Sequence, residues 1–133
     1  MNDIPVRIKS DPATYRLIEL LFGQAKDVNK NIVQVPKVGD VYVYFAGDNI
    51  CTASPGDYAP YNTSWIIYAQ AQYVSDGTIT GSFVNDVDRN LTEIGLLLFT
   101  SGTKILLVKA CLSQPVHLSP GQEFKATIQF VLQ

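Results

Sequence analysis

Leu91-Thr92-Glu93-Ile94-Gly95-Leu96-Leu97-Leu98-Phe99 is an apolar run with one acid and one glycine inside it. Ser101-Gly102 follows as a turn, and Lys104-Ile105-Leu106-Leu107-Val108-Lys109-Ala110 answers it as a second apolar run. Two short apolar runs across a two-residue Gly-containing turn predict a β-hairpin. Glu93 would be costly if buried alone, so it must face solvent or pair with Arg89, Lys104 or a backbone donor. Gly95 weakens a strand interior unless a bulge or a close backbone approach needs it. Together the two residues mark either a place where the sheet bends and a neighbour docks, or a salt-bridged edge beside a packing glycine.

Outward from this hairpin the chain keeps the same character. Val41-Tyr42-Val43-Tyr44-Phe45 is β-branched and aromatic, hence a strand. Trp65 to Val74 reads as one long strand, and Asp76-Gly77 turns it into Thr78–Val84. Phe124 to Leu132 alternates strictly, which predicts a half-exposed last strand with Lys125, Thr127 and Gln129 outward. Val33, Val35 and Val38 alternate loosely around Pro36, as in an irregular or edge strand. Residues 47–63 are loop by composition, and a connection of that length usually serves binding or covers a neighbour.

One helix is expected, at residues 12–23. Asp11 is a good N-cap, Pro12 suits the first helical position, and Gly23 lies where a helix stops. Tyr15, Ile18, Leu21 and Phe22 recur at helical spacing, which leaves Arg16 and Glu19 to water. Evenly spaced strands with turn punctuation then predict a mainly β chain: one antiparallel β-sandwich domain over residues 1–133, jelly-roll-like, with a single N-terminal helix.

Composition narrows the function classes. Apolar residues make up 47% of the 133 and charged ones 17%, so the chain can build a core and is no disordered tail. Net charge is −2 with no Lys/Arg cluster, which argues against nucleic acid as a partner. Met1-Asn2-Asp3-Ile4-Pro5 lacks the basic start and apolar core of a secretory signal. Apolar runs reach about six residues against the roughly twenty that span a bilayer. The expectation is a soluble protein made in a cytoplasm, without membrane insertion. Cys51 and Cys111 lie sixty positions apart in apolar surroundings; they can pair, but buried free thiols are the expected state.

The order of helix, short strand, glycine-containing loop, long strand, hairpin and alternating last strand resembles the tail-collar and fibre-attachment domains of tailed bacteriophages. In those domains a strand of the form Ile/Leu, Thr/Asn, Glu, Ile/Val, Gly, Leu precedes a turn, as Leu91-Thr92-Glu93-Ile94-Gly95-Leu96 does here. The layout covers most of the chain and the motif only Leu91 to Val108. The resemblance implies a virion protein: a tail, collar or fibre adaptor or a capsid decoration, packed against other virion proteins and against itself as a homo-oligomer.

Chemistry is poorly represented. His117 is the sole histidine, no nucleophile elbow, Walker loop or dinucleotide fingerprint is present, and a Cys–His pairing has no support in the spacing. Asp86-Val87-Asp88-Arg89-Asn90 resembles the start of a calcium loop but lacks its glycine, so a polar bend is expected. No enzyme, metal or cofactor is implied. Tyr58 and Tyr61 in the long loop are the best recognition residues, with Trp65 expected in the core. Interface or ligand candidates are therefore Tyr58, Tyr61, Glu93, Gly95, Lys125, Thr127 and Gln129. The alternative function is a carbohydrate- or receptor-binding module that reads a host glycan through the 47–63 loop.

Overall fold

The strand signals of the sequence are realised in a computed structural model that describes residues 2–132; Met1, the first residue read for a signal, lies outside them. Eight strands and one helix follow the order β1 (Asn2–Ser10), α1 (Pro12–Leu21), β2 (Asp40–Gly47), β3 (Ile66–Gln70), β4 (Gln72–Ser75), β5 (Thr78–Val84), β6 (Arg89–Thr100), β7 (Thr103–Leu118) and β8 (Glu123–Leu132). They form two four-stranded sheets, β1-β8-β5-β4 and β3-β2-β6-β7, stacked as a mainly β sandwich. Between them lies one apolar cluster drawn from both sheets, including Val43, Phe45, Ile94 and Leu96 from one and Ile79, Ala126 and Ile128 from the other.

Both hairpins adopt the turn that their residues dictate. Asp76 and Gly77 have φ of 43° and 74°, and Ser101 and Gly102 have 48° and 74°. Two consecutive positive φ values give the twist that matches flanking strands. The helix starts as expected, with the Thr14 amide donating to Asp11 Oδ1 at 2.8 Å, and ends at Leu21, two residues early, before Gly23 at φ 69°.

Several expectations are corrected. Asn2–Ser10, given no structure from sequence, is a strand whose Ile4 and Val6 enter the core. It runs parallel to β8, the one parallel pairing among the described residues and an exception to the antiparallel layout expected. The last strand is therefore interior, hydrogen-bonded by β1 and β5, and cannot extend a neighbour's sheet. Trp65–Val74 is not one strand. It breaks at Ala71, whose amide donates to Val41 O at 3.0 Å, and the chain changes sheet there. Val33, Val35 and Val38 form no strand; the Val33 amide is taken up by Ala25 O at 2.8 Å, at the end of a local loop in which Asp27 accepts from the Asn29 and Asn31 amides. Glu19 faces inward, 3% exposed, and takes the Arg16 guanidinium as its partner.

β6 is covered on both faces. Ile94, Leu96 and Leu98 point into the sandwich, while Glu93, Gly95 and Leu97 lie on the opposite face beside Tyr44 and Ala46 of β2. A strand covered on both sides reads as a continuous apolar run. The cover over its outer face is the long loop, residues 48–65, that connects β2 to β3.

Candidate functional site

Glu93 is the keystone of that cover. It is fully buried, and both its oxygens are saturated by donors. Oε2 accepts from the Tyr44 hydroxyl at 2.7 Å and the Tyr61 amide at 3.0 Å; Oε1 accepts from the Asn62 amide and from Asn62 Nδ2, each at 3.0 Å. Of the partners foreseen for Glu93, the backbone donor is the one used. Arg89 instead pairs with Asp86 at 3.0 Å, and Lys104 lies over the rings of Tyr68 and Phe99.

Gly95 exists for the same contact. It sits opposite Tyr44 across the β2–β6 ladder, and a Cβ there would lie 2.1 Å from Val108 O and 2.3 Å from the Tyr44 ring. The missing side chain leaves the space that the ring occupies against the strand, and its hydroxyl reaches Glu93 two residues away on the same face. Burial first, then the hydrogen bond to Glu93, pushes the Tyr44 phenol far above its usual range, so it remains a donor. Glu93 and Gly95 are thus internal supports and present no surface to a partner.

Asn62 carries the next link. Only 2% exposed, it accepts from the Asn49 amide at 2.9 Å and donates to Asn49 O at 3.0 Å, while Thr92 Oγ1 donates to the same carbonyl at 2.7 Å. These bonds tie the two ends of the loop to each other and to β6. Cys51, expected as a free thiol, is bonded to Cys111 on β7, which lies beside Glu93 in the ladder. With both cysteines in the bridge, neither can act as a thiolate with His117, which pairs with Asp88 at 3.2 Å on the surface. No group of three metal-ligating side chains occurs among the described residues. The loop tip is held by Lys109, whose side chain is 7% exposed and reaches Asp57 at 3.3 Å and Ala59 O at 3.4 Å. The Ser54 amide, then Lys109, hold the Asp57 carboxyl below its usual range.

What this framework exposes is aromatic. Tyr58 is 89% and Tyr61 57% exposed, the latter with Lys109 5.7 Å from its ring. Tyr58 stands beside a cleft of about 500 Å³ between the loop and β7, walled by Pro55, Ile105 and Leu107 with Asp57 at its side. Trp65 packs half-buried against the core, under the Arg89 guanidinium at 4.8 Å, with its Nε1 donating to Asp48. Lys125, Thr127 and Gln129 do alternate outward along β8, but they sit half-buried on the other sheet and serve its β1 neighbour: Thr127 donates to Asp3 at 2.6 Å, and Arg7 to Gln129 at 3.5 Å. The structure therefore brings Tyr58, Tyr61 and Glu93 together and leaves the β8 residues apart from them.

Asn62 and Lys109 were missed by sequence reasoning. Asn62 lies in the stretch read as loop from its composition, whereas its side chain is spent inside the fold. Lys109 ends an apolar run and looks like an ordinary strand terminus. Compared with known proteins, the chain matches no family model, no curated protein and no solved structure.

Proposed function

We propose that this chain is a non-enzymatic virion structural protein of a tailed bacteriophage, placed at the tail, collar, fibre base or capsid surface, which works by packing against other subunits. The phage setting comes from the Leu91–Leu96 motif and the element order. The packing role is supported by one observation: a buried carboxylate, a buried asparagine and a disulfide spend their bonding on holding a loop whose tip shows Tyr58 and Tyr61 to solvent. Order fixed in advance lowers the entropy that docking must overcome, and tyrosines contribute large area with few rotors. Such a protein is made in the host cytoplasm and ends in the particle.

Antibody against the recombinant chain should label heads or tails of purified particles from the source culture, and the chain should appear in their mass spectra. Its absence from both refutes the virion setting. A second reading, a glycan-binding module, is favoured by the placement of Tyr58 beside the Asp57 carboxylate in the cleft. Aromatic rings stack on sugars and carboxylates accept from hydroxyls. Retention of a glycan that Tyr58→Ala and Tyr61→Ala abolish, with particle assembly unchanged, would put this reading first; failed assembly without any bound glycan supports packing.

A further inference from the structure

The long loop is firmly held at its base and thinly held beyond it. Asn49 and Asn62 are tied to each other, to Thr92 and to Glu93. From Thr52 to Tyr61 no residue is buried, so apolar packing contributes little to the position of the tip. Within this stretch the bonds are those of its own turn: the Ser54 amide donates to Asp57 Oδ2 at 2.8 Å, and the Asp57 amide to Ser54 O at 3.1 Å. Two tethers reach the tip from β7. One is Lys109, through Asp57 and Ala59 O; the other is the Cys51–Cys111 bridge. Lys109 and Cys111 stand two residues apart on one side of β7, opposite Gly95 and Glu93.

The two tethers differ in strength. The ion pair is one contact to a side chain 27% exposed, and such pairs hold weakly in water. The bridge is covalent. It fixes Cys51 to β7 close in sequence to Asp57, which raises the effective concentration of that carboxylate at Lys109. The fold itself does not depend on it: the apolar cluster draws on both sheets and includes neither cysteine, in a chain long enough to stand on its core.

We propose that the Cys51–Cys111 bridge is a redox latch on the loop tip. Closed, it holds Tyr58 in place for docking; opened by a dithiol, it frees residues 50–60 and leaves the sandwich standing. This rests on the packing reading above, which takes Tyr58 as part of the docking surface. The exchange balances. One thiolate of the dithiol attacks a bridge sulfur, its second thiol resolves the mixed disulfide, and the products are two cysteine thiols and the oxidised, cyclic reductant. Cys111 is only partly buried, on the outermost strand of its sheet, so a small dithiol can approach it. A freed tip must be ordered again on docking, so the reduced chain docks more weakly.

The test is chymotrypsin cleavage after Tyr58 in the whole native chain, with and without dithiothreitol, beside circular dichroism. Reduction should speed that cut at least about tenfold, as when a held loop becomes a fraying one, while the β signal and a cooperative melt persist. The double variant Cys51→Ser, Cys111→Ser should be cut as fast with no reductant present; if serine disturbs the fold, the reduced native chain decides. Lys109→Met with the bridge intact should be cut at close to the native rate. An unchanged rate on reduction, with both thiols shown free by alkylation, overturns the latch. Release of the tip by Lys109→Met alone overturns it too, as does loss of the whole β signal on reduction. A chain found in particles whose loop ignores the dithiol keeps the packing reading and drops the latch. A working latch in a chain absent from particles keeps the latch and drops the virion setting.

Discussion

Glu93→Gln keeps the volume of the keystone and changes only its hydrogen-bonding capacity. The carboxylate offers two acceptor oxygens to four donors, whereas glutamine offers one oxygen and an amide that can only donate. The cheaper orientation puts the amide at the Oε2 position, since the Tyr44 hydroxyl can turn and accept. The Tyr61 amide cannot, and an orphaned buried N–H costs about 1–3 kcal/mol. The two bonds from Asn62 and the one with Tyr44 fall from charge-assisted to neutral, each losing on the order of 1 kcal/mol. One term opposes these losses. Glu93 has no cationic partner among the described ion pairs, so neutralising it recovers part of the cost of burying a charge. The net expectation is a loss of about 2–3 kcal/mol, or about 10 °C in melting temperature. Urea unfolding followed by Trp65 fluorescence gives the free energy, and hydrogen exchange at Tyr61 should accelerate in the variant. A Glu93→Gln protein as stable as the parent, with Tyr61 still protected, would refute the keystone argument.

Three further outcomes follow from the same geometry. Gly95→Ala forces the Tyr44 ring off β6 and should cost about 1–3 kcal/mol as overpacking, with the hydrogen bond to Glu93 lost; thermal melting checks it, and an unchanged melting temperature refutes the close approach. Reducing Cys51–Cys111, which closes a loop of 60 residues, should lower stability by about 4 kcal/mol on the chain-entropy estimate, measured as the shift of the urea midpoint with and without dithiol. The Tyr44 phenol is raised on folding, so its share of stability is complete below pH about 10 and is lost as pH rises beyond it, where only the unfolded chain ionises; Tyr44→Phe should show a shallower alkaline loss than the parent in pH-dependent melting.

Of the candidate site, the sequence held the parts but not the arrangement. The oddity of Glu93 and Gly95 within an apolar strand was visible, because a lone acid and a glycine break a pattern. That both serve Tyr44, forty-nine residues from Glu93, was not, because cross-strand partners depend on register and register leaves no local trace. The same holds for Cys51 and Cys111: both were expected buried, which Cys51 is and Cys111 is only in part, and their pairing was not legible, since it needs the loop folded back onto β7. Lys125, Thr127 and Gln129 were placed correctly on an outward face, but the strand that carries them is interior, flanked by β1 and β5. Alternation tells which way a side chain points and says nothing about which strands lie alongside.

By itself the sequence determined the strands from Val41 to Leu132 in type, the two primed turns at Asp76-Gly77 and Ser101-Gly102, and the helix start at Asp11. Each of these is decided within a few residues, by side-chain sterics, positive φ or a capping oxygen. Tertiary structure alone decided that β1 lies parallel to β8 at the far end of the chain, that Ala71 passes the chain between sheets, that β7 and not β8 is left at an edge, and that Asn62 closes the loop on Glu93. Those outcomes rest on contacts between distant residues. They are chosen by how two apolar faces and a set of buried donors can all be satisfied at once, a condition on the whole chain that no window of its sequence contains.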